Sequence, residues 1–390
     1  MNTTRRTMQF GFLVLTAVGV FVVRGNAERW CPFGGVEALY TYIQEGNLTC
    51  SLAVSNFYIL GGVLLMTLLL RRAFCGYACP IGTLSEWLQR GAARLGLGAA
   101  RVPARLDGVL SLVKYPLLAV ILFFTYRTAE LVFRGYDPCY ALVSRHGEDI
   151  TFWTYAVSGA LVVGSLFVTI PFCRWLCPLA AVLNPFSRFG VARIKRDESA
   201  CTGCGECGEA CPMAIPVDRL VEVKKARCMS CMRCVDVCPA IDDAAVTWGP
   251  PKSLGNRWSP ACLVAVVLAC TTAAVAASHF FPLPSFVKER GTPPAVTATA
   301  ELKVTGLNCR GNATLFMYFL ERDDAFELPG YLKLEAWPGP GTAQARVTYD
   351  PTTTDTEAVK QAITEPYYDA VGEVWRPSPF EIEGYDPLGW

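Results

Sequence analysis

Apolar residues run along the chain in five long stretches: Met8–Val23, Val54–Leu70, Val109–Tyr126, Phe152–Phe172 and Pro260–Phe281. A membrane span takes roughly 20 mostly apolar residues, and all five qualify or nearly so. The first is the shortest. It follows Arg5 and Arg6 and leads into Gly25-Asn26-Ala27, which resembles a signal-peptide cleavage site. An uncleaved helix is the favoured reading, and on either reading Glu28 onward emerges on the far side. Composition agrees with the pattern: the chain is 52% hydrophobic and 18% charged, against about 25% charged in ordinary soluble proteins.

Charge orients the spans. Arg71, Arg72, Arg90, Arg94, Arg101 and Arg105 follow the second span. The segment 173–258 carries Arg193, Lys195, Arg196, Lys224, Lys225 and Arg227, whereas the opposite loops hold only Arg24 and Arg29, then Arg127, Arg134 and Arg145. The positive-inside rule puts the N-terminus and 173–258 in the cytoplasm and everything after Phe281 outside, which is the periplasm in a Gram-negative bacterium. The net charge of +1 gives no global support to a nucleic-acid partner.

Cysteine changes the picture most, with 18 Cys against 2 His. Phe74-Cys75-Gly-Tyr-Ala-Cys79-Pro80 recurs as Phe172-Cys173-Arg-Trp-Leu-Cys177-Pro178, an offset of 98. Each copy closes a two-helix hairpin, so the first four spans read as a four-helix bundle built from a parallel repeat. The i, i+4 spacing predicts both sulfurs of a pair on one helix face, with proline ending or bending the helix. Cys75, Cys79, Cys173 and Cys177 are therefore candidates for a further redox or metal site, against the plainer reading of buried packing thiols.

A second repeat is sharper. Cys201-x2-Cys204-x2-Cys207-x3-Cys211-Pro212 recurs as Cys228-x2-Cys231-x2-Cys234-x3-Cys238-Pro239, every cysteine displaced by 27. This is the bacterial two-cluster ferredoxin run, in which the fourth cysteine ligates the other cluster. Cys201, Cys204, Cys207 and Cys238 are expected on one [4Fe–4S] cluster, and Cys228, Cys231, Cys234 and Cys211 on the other. Zinc ribbons separate their CxxC pairs more widely, and cytoplasmic disulfides are disfavoured. Cys31, Cys50 and Cys139 fall in the outer loops, where a Cys31–Cys50 disulfide competes with free thiols. Cys262 and Cys270 read as packing residues of the fifth span.

Haem has little support, since there is no CxxCH. His146 lies in an outer loop and His279 at the outer end of the last span. No Rossmann fingerprint, Walker A sequence or Ser-His-Asp set is present. Lys114, Arg127 and Glu130 are polar groups near spans and only weak candidates for contact with a quinone.

After a Pro-rich linker at 282–296, the pattern is that of an ordinary soluble domain. It predicts a strand at 300–305, a helix at 309–322, strands at 331–336 and 343–349, a helix at 355–364 and a last strand near 379–383. That βαββαβ order is the split, ferredoxin-like α+β fold. Val304-Thr-Gly-Leu-Asn-Cys309-Arg-Gly-Asn312 resembles the metal loop of heavy-metal-associated domains, with Asn312 where that family has its second cysteine. Cys309 is thus a candidate metal ligand, against a diverged domain that docks a partner.

Two CxxxCP motifs at helix ends followed by a two-cluster ferredoxin resemble the NapH/NosR-type polyferredoxin family, and Trp30-Cys31-Pro32-Phe33-Gly34-Gly35 is similar to that family too. The resemblance covers about residues 1–258. It implies a multi-pass protein of the bacterial inner membrane that relays electrons between the quinone pool or a cytoplasmic donor and a periplasmic redox partner, as a quinol-dehydrogenase type of subunit. Some members support copper-enzyme assembly, so a role in metal handling or metalloenzyme maturation is the alternative. The domains expected are a membrane part at 1–190, a ferredoxin part at 191–250, a fifth helix at 251–281, the linker, and an outer domain at 297–390.

Overall fold

The computed structural model describes residues 2–22, 30–45, 51–97, 100, 102–128, 132–143, 151–240, 245–251, 257–308, 310–339, 341–369 and 374–385. The Gly25-Asn26-Ala27 site, Cys50, Glu130, His146 and Cys309 lie outside these residues. The chain divides into two compact units: Met1–Glu37 with Asn56–Ala276, and Ala38–Ser55 with Ala277–Trp390.

The first unit is helical. Its long elements are α1 (Asn2–Phe21), α3 (Ser51–Leu70), α7 (Lys114–Thr128), α9 (Phe152–Phe167) and α13 (Pro260–Phe280). Between them lie α4 (Ala73–Tyr77), α5 (Pro80–Arg94), α6 (Ala104–Leu110), α8 (Pro138–Val143) and α10 (Pro178–Phe189), while α2 (Pro32–Glu45) starts in this unit and passes into the second after Glu37. Among the described residues, Ala104–Arg127 and Pro260–Phe280 are long and apolar enough to cross a membrane, and Val54–Leu70 and Phe152–Phe167 are shorter apolar helices. These helices fit a membrane-associated protein. Glycine sets one close approach: a Cβ on Gly35 would strike the Asn56 carbonyl and lie 2.7 Å from Leu60 Cβ.

The helices depart from the expected spans where proline intervenes. The stretch 109–126 begins within α6, which ends at Leu110, and continues as α7 from Lys114. Pro116 has no amide to offer to the preceding turn. The fourth stretch stops at Phe167 rather than Phe172; Ile170 then takes φ +47 and Phe172–Leu176 form a single π turn. A β-branched residue with positive φ is held there against a cost of about 1–3 kcal/mol. Arg71, with φ +61, breaks the helix before the first CxxxCP motif, one residue earlier than Ile170 does before the second.

The ferredoxin segment continues the same unit. Strand β1 (Arg193–Arg196) pairs antiparallel with β2 (Val246–Gly249). Its core residues Ile194, Ile215, Val223 and Trp248 join Met66, Leu70 and Tyr77, and Leu263 and Val267 of α13, in one hydrophobic cluster.

The second unit carries the sheet domain. Strands β3 (Phe286–Arg290), β4 (Ala298–Thr305), β5 (Leu332–Trp337), β6 (Thr342–Tyr349) and β9 (Glu381–Ile382) form an antiparallel sheet in the order β3-β5-β6-β4-β9. Helices α14 (Arg310–Leu320) and α15 (Thr356–Thr364) complete it, with a β7–β8 hairpin (Tyr367–Asp369, Val374–Arg376) before the last strand. Without β3 this is the split βαββαβ arrangement. The expected linker is corrected here, because Phe286–Arg290 adds a strand beside β5 and Phe286 is buried in the core with Phe316, Leu334 and Val347. Alternation of buried and exposed residues along β4 and β6 is the period of a sheet with one covered face.

Candidate iron–sulfur centres

The two ferredoxin runs fold as true copies. Gly203 and Gly205 have positive φ, and so do Ser230 and Met232 at the same positions 27 residues later. Short helices follow at equivalent places, α11 (Glu206–Glu209) and α12 (Arg233–Asp236). Left-handed residues between cysteines curl each loop tightly. The first run uses glycine there, where φ > 0 is free of steric cost; the second bears Ser230 and Met232, whose side chains are buried.

Cys211, Cys228, Cys231 and Cys234 line one cavity, walled otherwise by Ile194, Met213, Ile215 and Val223 among others. The structure thus brings Cys211, from the first run, to the cavity lined by three cysteines of the second. Cys201, Cys204 and Cys207 stand within electrostatic reach of one another. Soft sulfur donors in an apolar wall suit an iron–sulfur cluster. Among the described residues, no three His, Cys, Asp or Glu side chains are grouped closely enough to hold a single metal ion.

The CxxxCP cysteines are also brought together, though by a different route from the expected helix face. Cys75 lies in α4 and Cys173 in the π turn, but Cys79 (φ −69°, ψ 119°) and Cys177 (φ −60°, ψ 116°) are extended residues that cap α5 and α10. The reason is local: a residue before proline is pushed out of the helical region, while Pro80 and Pro178 are well placed to begin the next helix. The four thiols lie within electrostatic reach of one another. Gly82 keeps α5 against them; a Cβ there would meet the Cys75 carbonyl at 2.7 Å and Cys173 Sγ at 3.8 Å.

Arg72 is the group that sequence reasoning missed. Counted above as a cytoplasmic surface charge, it is 0% exposed. Its guanidinium donates to Cys75 Sγ (3.7 Å), the Cys173 carbonyl (3.3 Å) and Asn184 Oδ1 (3.3 Å), and its Nε has no hydrogen-bond partner. Among the described residues no carboxylate pairs with it. A buried cation is costly unless an anion accompanies it, and a thiolate-ligated centre supplies that anion. The donor set and the charge therefore fit an iron–sulfur group at this place.

The same segment touches the second ferredoxin site. The Arg72 amide donates to the Cys228 carbonyl (3.4 Å), Tyr77 Oη to the Ser230 carbonyl (3.0 Å) and Ser230 Oγ to the Leu70 carbonyl (2.8 Å). Arg71, also fully buried, reaches the Lys225 carbonyl at 2.7 Å.

Two buried carboxylates hold the frame. Glu86 on α5 accepts Arg5 (2.5 and 3.0 Å), Arg90 (2.5 Å) and Gln9 (3.1 Å), while Arg5 and Gln9 also bond the Gly76 carbonyl inside the first motif. Burial pushes Glu86 up, but Arg5, then Arg90, Gln9 and Arg233, outweigh it and hold the carboxyl below its usual range. Asp107 accepts Arg174 (2.5 Å) and Trp175 (2.8 Å) of the second motif and Arg227 (2.6 Å) beside Cys228. Arg5, Arg71, Arg72 and Arg227 are thus structural as well as basic, which removes them from a simple surface-charge count. Lys114, a weak quinone candidate, is buried with Nζ on the Arg174 carbonyl at 2.9 Å.

Cys31 and Cys139 are free thiols, and Cys139 faces Cys31, Cys79 and Cys177 electrostatically. The expected partner Cys50 and the candidate Cys309 lie outside the described residues. Asn312, at the position of the missing second cysteine, bonds the Gly306 carbonyl at 2.7 Å and so closes its own loop.

Comparison with known proteins matches both motif sets. Residues 52–98 and 150–197, one CxxxCP copy in each, match the 4Fe-4S binding domain family, and residues 193–239 match the 4Fe-4S dicluster domain family. Ferredoxin-type protein NapH of Escherichia coli is 29% identical over 243 residues, 56% of this chain and 78% of the relative. Regulatory protein NosR of Pseudomonas aeruginosa is 30% identical over 179 residues, 44% and 25% of the two chains. The YccM protein of Escherichia coli is 32% identical over 247 residues, 61% of this chain and 68% of the relative. This chain belongs to the NapH/NosR-type polyferredoxin family. Its CxxxCP repeats and its cysteine runs are the parts that the family's iron–sulfur domains match. No solved structure matches the chain.

Proposed function

We propose that this polyferredoxin is a membrane electron-transfer protein whose thiol-bound centres form a series. The observation that carries the reading is the contact between the CxxxCP segment and the second cysteine run, where Arg72 and Tyr77 donate to the Cys228 and Ser230 carbonyls and the Ser230 hydroxyl donates to the Leu70 carbonyl. Cys201, Cys204, Cys207 and Cys238 would hold one [4Fe–4S] cluster, and Cys228, Cys231, Cys234 and Cys211 the second. Cys75, Cys79, Cys173 and Cys177 would hold a further centre beside Arg72. Such clusters, when bound, accept and donate single electrons. The chain's own part is to hold the centres in apolar walls, balance the charge of the CxxxCP centre with Arg72, and keep neighbouring sites in contact.

Five spans with the cysteine runs on the cytoplasmic side and the sheet domain in the periplasm give this series a direction across the membrane. The hydrocarbon core is about 30 Å thick, so two clusters at one face need an intermediate centre or a mobile quinone to reach the other side. The CxxxCP thiols extend the series by one centre beside the second cysteine run; the quinone pool and a periplasmic redox protein are the partners that this reading connects. The test is an anaerobic redox titration of the purified full chain, followed by electron paramagnetic resonance. Signals from [4Fe–4S] centres that disappear in part with Cys228→Ser are expected. Their absence after anaerobic reconstitution would defeat the proposal.

A further inference from the structure

Cys31 and Cys139 fall at similar points in the two halves of the CxxxCP repeat, though not at its 98-residue offset: Cys31 precedes its helix and Cys139 lies in its first turn. Each stands beside a proline that begins a short helix, Pro32 of α2 and Pro138 of α8, between the first long helix of its half and the second. Loop thiols facing an oxidising solvent would need no such placement.

The packing turns both back toward the CxxxCP motifs. Helix α8, whose second residue is Cys139, packs against α1, α5 and α9. Helix α5 starts directly after Cys79, so α8 is brought onto the segment that Cys79 caps. The start of α2 is tied to the chain leading into α8: the rings of Phe33 and Phe133 meet edge to face at 4.7 Å, and the Phe133 amide donates to Glu37 Oε1 at 3.3 Å. Cys139 is thereby within electrostatic reach of Cys31, Cys79 and Cys177 together. Arg72 donates to Cys75 Sγ and to the Cys173 carbonyl, which sets a positive charge beside the first cysteine of each pair.

We infer that Cys31 and Cys139 are thiolate ligands of the centre held by the CxxxCP pairs. Each half-repeat then contributes the same set, Cys31 with Cys75 and Cys79, and Cys139 with Cys173 and Cys177. Six sulfurs exceed the four that one [4Fe–4S] cluster uses. The site accordingly takes an iron–sulfur group that draws on both outer thiols, with Arg72 flanking Cys75 and Cys173. This inference rests on the reading that the CxxxCP thiols hold a redox centre.

The test compares Cys31→Ser, Cys139→Ser and Cys79→Ser in the full chain, purified anaerobically. Iron and acid-labile sulfide are counted per chain, and the resonance signals of the ferredoxin clusters serve as the folding control. Cys31→Ser and Cys139→Ser are expected to lose the same iron as Cys79→Ser, with the ferredoxin signals retained. Full iron in both, beside a loss in Cys79→Ser, overturns this inference alone. Full iron in all three overturns the CxxxCP reading and this inference with it. Should a serine variant fail its folding control, maleimide labelling of the wild-type chain decides. Cys31 and Cys139 should resist the reagent until iron is chelated; equal labelling before and after chelation contradicts ligation.

Discussion

Replacing Arg72 by methionine removes a buried positive charge and keeps most of its volume. The guanidinium lies 3.7 Å from Cys75 Sγ. At an effective dielectric constant of about 20, a unit charge at that distance interacts by about 4 kcal/mol. Charge spread over a cluster sits farther away on average, which halves the figure to roughly 2 kcal/mol. For a one-electron couple, about 59 mV corresponds to a tenfold change, so the midpoint potential should fall by about 90 mV. The sign follows from electrostatics: the reduced centre is the more negative, and the lost cation stabilised it. The assay is a potentiometric titration of the full chain in detergent, with the ferredoxin clusters as internal reference. An unchanged potential, or an upward shift, would refute the assignment of Arg72 as the counter-charge of a thiolate centre.

Other outcomes test the frame around the centres. Glu86→Ala leaves Arg5 buried without its carboxylate, at a cost of about 3–5 kcal/mol; thermal melting should show a fall of roughly 6 °C or more. Because the folded Glu86 carboxyl is held below its usual value, its contribution is complete above its unfolded pKa, about 4.3. It is lost as pH falls through the lower folded value, so the variant should show a weaker acid limb in its stability–pH curve than the wild type. Gly203→Ala meets open space, yet it forces a Cβ onto φ +73; a loss of about 1–2 kcal/mol in a denaturant titration is expected. Phe316→Ala, in the core of the sheet domain, should cost about 3–5 kcal/mol there and leave every iron signal unchanged.

The parts of the fold with a strict period were legible beforehand. Alternation along residues 300–305 and 343–349 placed strands that the structure has at Ala298–Thr305 and Thr342–Tyr349. The 27-residue cysteine repeat anticipated paired loops that agree down to their left-handed residues. Edge strand β3 escaped notice because Pro282, Pro284, Pro293 and Pro294 mark a linker by composition, while only its partner β5 makes Phe286–Arg290 a strand. The i, i+4 spacing of CxxxCP suggested a helical face, but Pro80 and Pro178 decided the backbone of the cysteines before them. Arg71 and Arg72 looked like membrane-flanking charge; nothing short of their contacts with residues 173, 184 and 225 shows that they are buried. That Cys139 comes within electrostatic reach of Cys79 depends on how α8 packs on α5, a tertiary relation between segments about 60 residues apart that no local pattern encodes.

Iron and acid-labile sulfide counted on the anaerobically purified full chain test the series of centres most directly. Two [4Fe–4S] clusters account for about eight irons; a third centre at the CxxxCP thiols predicts more than that, with the excess lost in Cys79→Ser. A chain holding only those eight irons, or holding zinc in place of iron, would contradict the account.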